Sequence, residues 1–298
     1  MEGTRTNLTG IYRFTSIARP IDPAYLTNRA LLIVLPVVGL LSAGLAFLHD
    51  LGGDPLSAAL SGALVAFAAW ALTRELAPDH NGAAFVALAI AWIANVAFGT
   101  SLVLLLFVAI VLVRVVNRST GLPLRPLDTL GVIGFCTWAA ISTEQPLILL
   151  VASLAFLLDA MLEEPLRRHY LAAAVCVPVF VWVLDGHANL IASDLAVRDW
   201  LLIGASALGV ALFAKTNPEP VSYCDISPDR LDLVRVNVGL IVGWLLGVQA
   251  LLTNGRSAWL ETPFWACMIA LLLSLVARQA SRLRRSSSSS RRSSRLAD

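Results

Sequence analysis

AAFVALAIAWIANVAFGTSLVLLLFVAIVLVRVV, residues 83–116, runs for 34 residues with a single charge, Arg114. As one helix it would be about 51 Å long at ~1.5 Å per residue. The hydrocarbon core of a bilayer is only about 30 Å thick, so one crossing does not need such a length. Gly99-Thr100-Ser101 supplies a natural turn near its middle, and the stretch is therefore read as two membrane spans.

Charge gives an independent test of that reading, because the cytoplasmic segments of membrane proteins collect Lys and Arg. With a break at Gly99, 20 of the 22 basic residues fall on one side and only Arg198 and Arg256 on the other. Taken as a single span, the same stretch gives 7 against 15. The first partition is far more polarised and puts both termini on the cytoplasmic side. Reporter fusions at the N-terminus, Gly121 and Leu190 test it: the first two should report one compartment and Leu190 the other, whereas a single span would separate the N-terminus from Gly121.

Composition supports the membrane assignment. The chain is 57% apolar and 14% charged, with mean hydropathy +0.76; soluble domains are roughly 45–50% apolar and about 25% charged. Nothing in this composition suggests a nucleic-acid partner; the expected surroundings are lipid. Ten apolar runs predict ten short transmembrane helices, near 30–49, 55–73, 83–98, 100–116, 128–143, 146–162, 170–185, 198–213, 232–253 and 261–278. The predicted fold class is an all-α polytopic integral membrane protein. Several runs sit at the lower length limit, which implies local thinning or burial among other helices. Residues 1–29 are too polar for a cleavable leader, so the first run is expected to be retained. Of the 22 basic residues only Lys215 is lysine, a bias of GC-rich bacterial coding. The expected location is thus a bacterial inner membrane. The four cysteines form no CxxC and read as small apolar residues.

Three parts are expected: a cytoplasmic segment over 1–29 lying along the headgroups, a transmembrane domain over 30–278, and a tail over 279–298. The Arg/Ser-rich tail has no apolar surface to bury and is predicted to be disordered, its charge favouring anionic lipid headgroups. Within the middle part a weak repeat joins Arg125-Pro126-Leu127-Asp128 to Arg230-Leu231-Asp232, and Glu75/His80 to Glu164/His169. It suggests two parallel four-helix units, spans 2–5 and 6–9.

Candidate functional residues are few. Glu75, Asp79 and His80, with Glu163, Glu164 and His169, are cytoplasmic groups of acid and imidazole. Brought together beneath lipid, Glu75, Asp79, His80, Glu164 and His169 are the candidate site of a lipid-modifying enzyme, as oxygen and nitrogen ligands to a divalent ion holding a lipid phosphate. Read as structure, they pair with Arg74, Arg167 and Arg168, and no resident metal or cofactor is assigned. Asp128, Asp225, Asp229 and Asp232 precede apolar runs as helix N-caps do. On the other side Asp185-Gly186-His187 and Asp194 make a further acid and imidazole group, suited to general acid–base chemistry on an exported lipid carrier and, read as structure, a capped, solvated turn. Asn95, Asn237 and Gln249 are the neutral polar side chains that a transport pathway would use. Gly239, Gly243 and Gly247 repeat GxxxG, a face that lets another helix approach closely, within the chain, in a second copy or in a protein partner.

No Walker A loop, HExxH, GxGxxG or GxSxG is present. In length and span count the chain resembles the drug/metabolite transporter superfamily, a resemblance of dimensions that carries no residues over. Transport or flipping of a small molecule or lipid is the first functional reading. A lipid-modifying enzyme using the carboxylate/His loops and a non-catalytic subunit of a larger complex are its rivals.

Overall fold

The computed structural model describes residues 10–49, 54–99, 103–185, 190–192, 195–255 and 262–295, without the side chains of 49, 262 and 281–295. Thr100, Ser101, Gly186, His187 and Asp194 lie outside the described residues. Among the described residues, a 3-10 turn, Gly10–Arg13, is followed by ten α-helices: α1 Leu26–His49, α2 Pro55–Leu76, α3 Asn81–Phe98, α4 Val103–Asn117, α5 Pro126–Ser142, α6 Leu147–Met161, α7 Arg168–Leu184, α8 Val197–Thr216, α9 Leu233–Asn254 and α10 Thr262–Arg295. Each overlaps one predicted apolar run, and α10 extends well beyond its run. No strand occurs among the described residues, only a single antiparallel bridge between Tyr223 and Arg230.

Local chemistry sets several helix ends. Asp54 caps α2 by accepting the Ser57 N–H at 2.9 Å, with Pro55 in the first helical position. Asp232 caps α9 through the Arg235 N–H at 2.7 Å. Gly99, at φ +74°, ends α3 by donating its N–H to the Asn95 carbonyl, a conformation that favours glycine. The 83–116 run is thus broken where the sequence predicts. α3 and α4 are consecutive yet do not pair; α2 packs against both.

Six of the helices are long and apolar enough to cross a membrane: α1, α2, α3, α8, α9 and the Pro263–Ala280 part of α10. α4 to α7 are shorter, at 15 to 17 residues. α4 is central, with ten of its fifteen residues buried, and it packs on α2, α6 and α9. α1, α3 and α10 gather on α2, while α5 and α7 gather on α6. Leu40, Phe47, Leu171 and Trp182 remain two-thirds or more exposed. Large apolar side chains left outward on so many helices need a lipid environment. These features are those of a helical membrane protein.

The glycine stripe of α9 is filled from within the chain. A Cβ at Gly239 would stand 2.0 Å from Asn117 Oδ1, one at Gly243 2.7 Å from Leu76, and one at Gly247 2.1 Å from Phe264. The close approach is to α4, α2 and α10, and at these three positions the face is not open to another subunit.

α10 continues as a helix to Arg295, through the segment for which composition predicts disorder. Such a length of arginine and serine has no apolar stripe of its own to dock.

Candidate functional site

Side-chain hydrogen bonding concentrates at one end of the bundle, where α2, α4, α6 and α8 finish and α1, α3, α5, α7 and α9 begin. This is the arginine-rich end. Two buried ion networks lie there.

Asp159, in the last turn of α6, is fully buried and centres the first. Its Oδ1 accepts from Arg118 Nε at 2.8 Å and Arg235 Nη1 at 2.9 Å; its Oδ2 accepts from Arg118 Nη2 at 2.9 Å and His169 Nδ1 at 2.7 Å. Arg118 stands just beyond α4 at φ +48°, a strained conformation for a side chain of this size. That turn brings its guanidinium back under the bundle. The arginines donate further to backbone: Arg118 to the Glu164 carbonyl, Arg235 to those of Val116 and Glu163. His169 Nε2 meets Thr129 Oγ1 at 3.1 Å, and the Thr129 hydroxyl also lies 3.1 Å from the Arg125 carbonyl. A carboxylate flanked by two guanidiniums is an acceptor, so His169 donates from Nδ1. With four donors on its two oxygens, Asp159 is a structural hub and no free base.

Glu75, at the end of α2, centres the second network. Its Oε1 accepts from Arg114 Nε at 2.8 Å and Arg19 Nη1 at 3.1 Å. Arg19 also clasps Asp225 through Nε at 2.6 Å and Nη2 at 2.7 Å. Arg114 Nη1 holds the Ile17 carbonyl, and Asn117 Nδ2 donates to the Glu75 carbonyl at 2.7 Å. Arg19 lies mostly buried; burial would lower its pKa, but Glu75 and Asp225 raise it further above the usual arginine range.

Around these networks the N-terminal segment is strapped over the helix ends. Ser16 donates its N–H (2.8 Å) and hydroxyl (2.5 Å) to Asp128, while Thr120 donates to the Ser16 carbonyl. Arg125 donates to the Tyr12 and Arg13 carbonyls. The 217–232 loop is tied in as well: Ile226 N–H to the Thr120 carbonyl, and Val221 N–H (2.8 Å), Ser222 N–H (3.0 Å) and Ser222 hydroxyl (2.6 Å) to Asp79. Burial alone would raise the Asp79 pKa, but those donors hold it below the usual carboxylate value.

The residues singled out from sequence are therefore scattered. Glu75 points to α4 and the N-terminal strap, whereas His80 faces Ser274 of α10 and the ring of Phe213. Asp79 caps a loop, His169 belongs to the Asp159 network, and the Glu164 side chain is exposed with only its carbonyl in use. No common acid–imidazole site forms from these five. Arg74 does not pair with Glu75, as local sequence suggested; it donates to Thr27 and Asn81 and lies over Trp70. Asp128 and Asp225 serve the strap rather than capping helices, and Asp229 accepts from Ser227; Asp232 alone of the four is the expected cap. No group of three His, Cys, Asp or Glu suited to a metal ion occurs among the described residues.

Nor do the neutral polar residues share one cavity. Asn95 accepts from Ser61 between α3 and α2, Asn237 reaches the Ala214 carbonyl between α9 and α8, and Gln249 donates to Gln145 at 2.9 Å. Arg118, Asp159, Arg235 and Arg19 are what sequence reading undervalued. The one signal for them was a lone carboxylate in the 146–162 run and a lone guanidinium in the 232–253 run. Compared with known proteins, the chain matches no family model, no curated protein and no solved structure.

Proposed function

We propose that the chain is a carrier or flippase for a small molecule or lipid, held closed at its arginine-rich end. On this reading all ten helices cross a bacterial cytoplasmic membrane, both termini face the cytoplasm, and spans 2–5 and 6–9 form two parallel four-helix units. The observation that carries it is the pair of buried ion networks at one end of an otherwise apolar bundle. Charge withdrawn from water costs several kcal/mol unless it is paired or used. Here the pairs join the N-terminal strap, α2, α4, α6, α7, α9 and the 217–232 loop, elements that must separate to open a path. Hydrogen bonds that close a gate have this distribution, linking separate helices and loops across one mouth of the bundle.

The test loosens the gate at its least buried bridge. Arg19→Ala removes the link between Glu75 and Asp225 but leaves the Asp159 hub whole. A cysteine at Val113, fully buried beneath the cap, should then react about three- to tenfold faster with an impermeant maleimide applied from the arginine-rich side. Movement of fluorescent lipid or trapped solute across proteoliposomes should rise with it. If neither changes, the bundle does not open there and the carrier reading fails.

A second reading, an interfacial lipid-modifying enzyme, has one observation in its favour. Asp159, His169 and Thr129 stand in the acid–imidazole–hydroxyl order of a nucleophile and its base. All three are buried, so Thr129→Val separates the two readings: it would abolish catalysis and leave transport intact.

A further inference from the structure

The N-terminal strap holds its largest apolar side chain outward. Ile11 and Phe14 share one tight turn, closed by the Phe14 N–H to the Ile11 carbonyl at 2.9 Å; both are exposed, Phe14 by 79%. The turn is fixed from beneath, where Arg125 donates to the Tyr12 and Arg13 carbonyls and Ser16 donates to Asp128. Phe14 is thus displayed by a bonded backbone. Between Arg125 and Asp128 stands Leu127, the first residue of an outward stripe on α5 that continues through Leu130, Trp138 and Ile141. Thr129, Val132, Cys136 and Ala139 form the opposite, buried face of that helix. The apolar tip of the strap is therefore seated at the end of a stripe left to lipid.

Helix length sets the depth of that tip. α5 has 17 residues, about 25 Å at ~1.5 Å per residue, against a hydrocarbon core about 30 Å thick. Crossing the membrane, it has no length to spare for carrying its first turn out into water. A segment bonded to that turn sits among the headgroups, the layer that aromatic rings favour. Charge selects the leaflet. Arg13 in the turn, with Arg167 and Arg168 at the start of α7, is exposed, against the exposed carboxylates of Glu163 and Glu164. The contact of His169 with Thr129 keeps the start of α7 beside that of α5. Three guanidiniums to two carboxylates leave this border positive.

We propose that the Ile11–Phe14 turn docks the strap onto an anionic phospholipid leaflet. Phe14 enters the headgroup layer at the end of the Leu127 stripe, and Arg13 meets a lipid phosphate. The clasp that Arg19 makes with Glu75 and Asp225 is thereby tied to the bilayer through a segment five residues away. The docking requires α5 to cross the membrane, as in the carrier reading, but it does not require transport.

The test uses the full chain in nanodiscs that mix phosphatidylcholine with phosphatidylglycerol. Phe14→Cys and, as a reference, Leu130→Cys are each built with Cys224→Ala, which leaves only the buried cysteines, and are spin-labelled. Both labels should collide with oxygen more readily than with a water-soluble nickel chelate, the label at position 130 lying deeper. A label at position 14 that meets nickel as freely as in water, with the one at 130 still in lipid, overturns the docking and leaves the crossing of α5 standing; the patch would then belong to a soluble partner. Both labels in water would overturn the crossing as well. Phe14→Ser removes little packing within the protein, so its melting midpoint should not move, yet proteinase K should cleave within residues 10–19 about fivefold faster than in the wild type. Replacing phosphatidylglycerol by phosphatidylcholine should speed wild-type cleavage by about fivefold too, the scale of one basic residue at a charged leaflet. Cleavage indifferent to lipid charge, or equal in Phe14→Ser and the wild type, would overturn the proposal.

Discussion

Asp159→Leu should destabilise the protein by about 3–5 kcal/mol, the cost of removing one partner from a buried ion cluster. Two guanidiniums and the His169 ring would lose their shared acceptor in a place that water does not reach, since Asp159 and His169 are fully buried and Arg118 and Arg235 nearly so. Thermal unfolding in detergent, followed by tryptophan fluorescence, should show a lowered midpoint and reduced yield of folded protein. The cause is testable by compensation. Adding Arg118→Met and Arg235→Met to Asp159→Leu removes the stranded charges and should recover much of the loss, because buried ion clusters are often replaceable by apolar packing. Arg198→Ala is the contrast: Arg198 stands 3.6 Å from Asp199 and is 64% exposed, and a pair of that kind contributes little. Unchanged melting in Asp159→Leu would mean that the hub is not formed.

Gly247→Ala is the second large effect, and here a single methyl group suffices. The new Cβ would stand 2.1 Å from Cε1 of Phe264, a ring 1% exposed and set edge-on against Trp265. The ring has nowhere to go without moving α10, and overpacking of this kind costs about 1–3 kcal/mol or more. Phe264→Leu in the same chain should restore most of the stability by vacating the contested volume. Gly204 and Gly131, where an added Cβ meets nothing within 4 Å, should respond in the opposite sense. Alanine there should be neutral or slightly stabilising, by up to about 1 kcal/mol, because glycine is the poorer helix former. A melting series over these positions therefore gives a change of sign, which no general sensitivity to mutation would produce.

Helix positions were legible in the sequence because lipid imposes one rule on every span, a long apolar run ended by turn residues. The Gly99 break and the close packing of Gly239, Gly243 and Gly247 follow from residue type alone. The ion networks do not. Arg118 and Asp159 are 41 residues apart and Arg235 lies 76 beyond Asp159, so their meeting is a property of tertiary structure. A charge near the end of a span reads as solvent-facing unless something covers that end. The Glu75 network is covered by the strap of residues 10–19, and Asp159 by the side chains of Arg118 and Arg235 held to the Glu163–Glu164 turn, neither of which carries a motif. Glu75 and His80 show the converse error. Five residues apart, they looked like one cluster, but the turn between α2 and α3 sends them to different neighbours.

The strap has a consequence for birth order. Arg19 leaves the ribosome 206 residues before its partner Asp225. At about 5–20 residues per second that is a wait of roughly 10–40 s. Throughout it, the strap has half of its clasp missing. Segments far apart along the polypeptide are thus joined only after residue 225 is made, and chains arrested before it should be open to proteolysis around Arg19 while chains that include it resist.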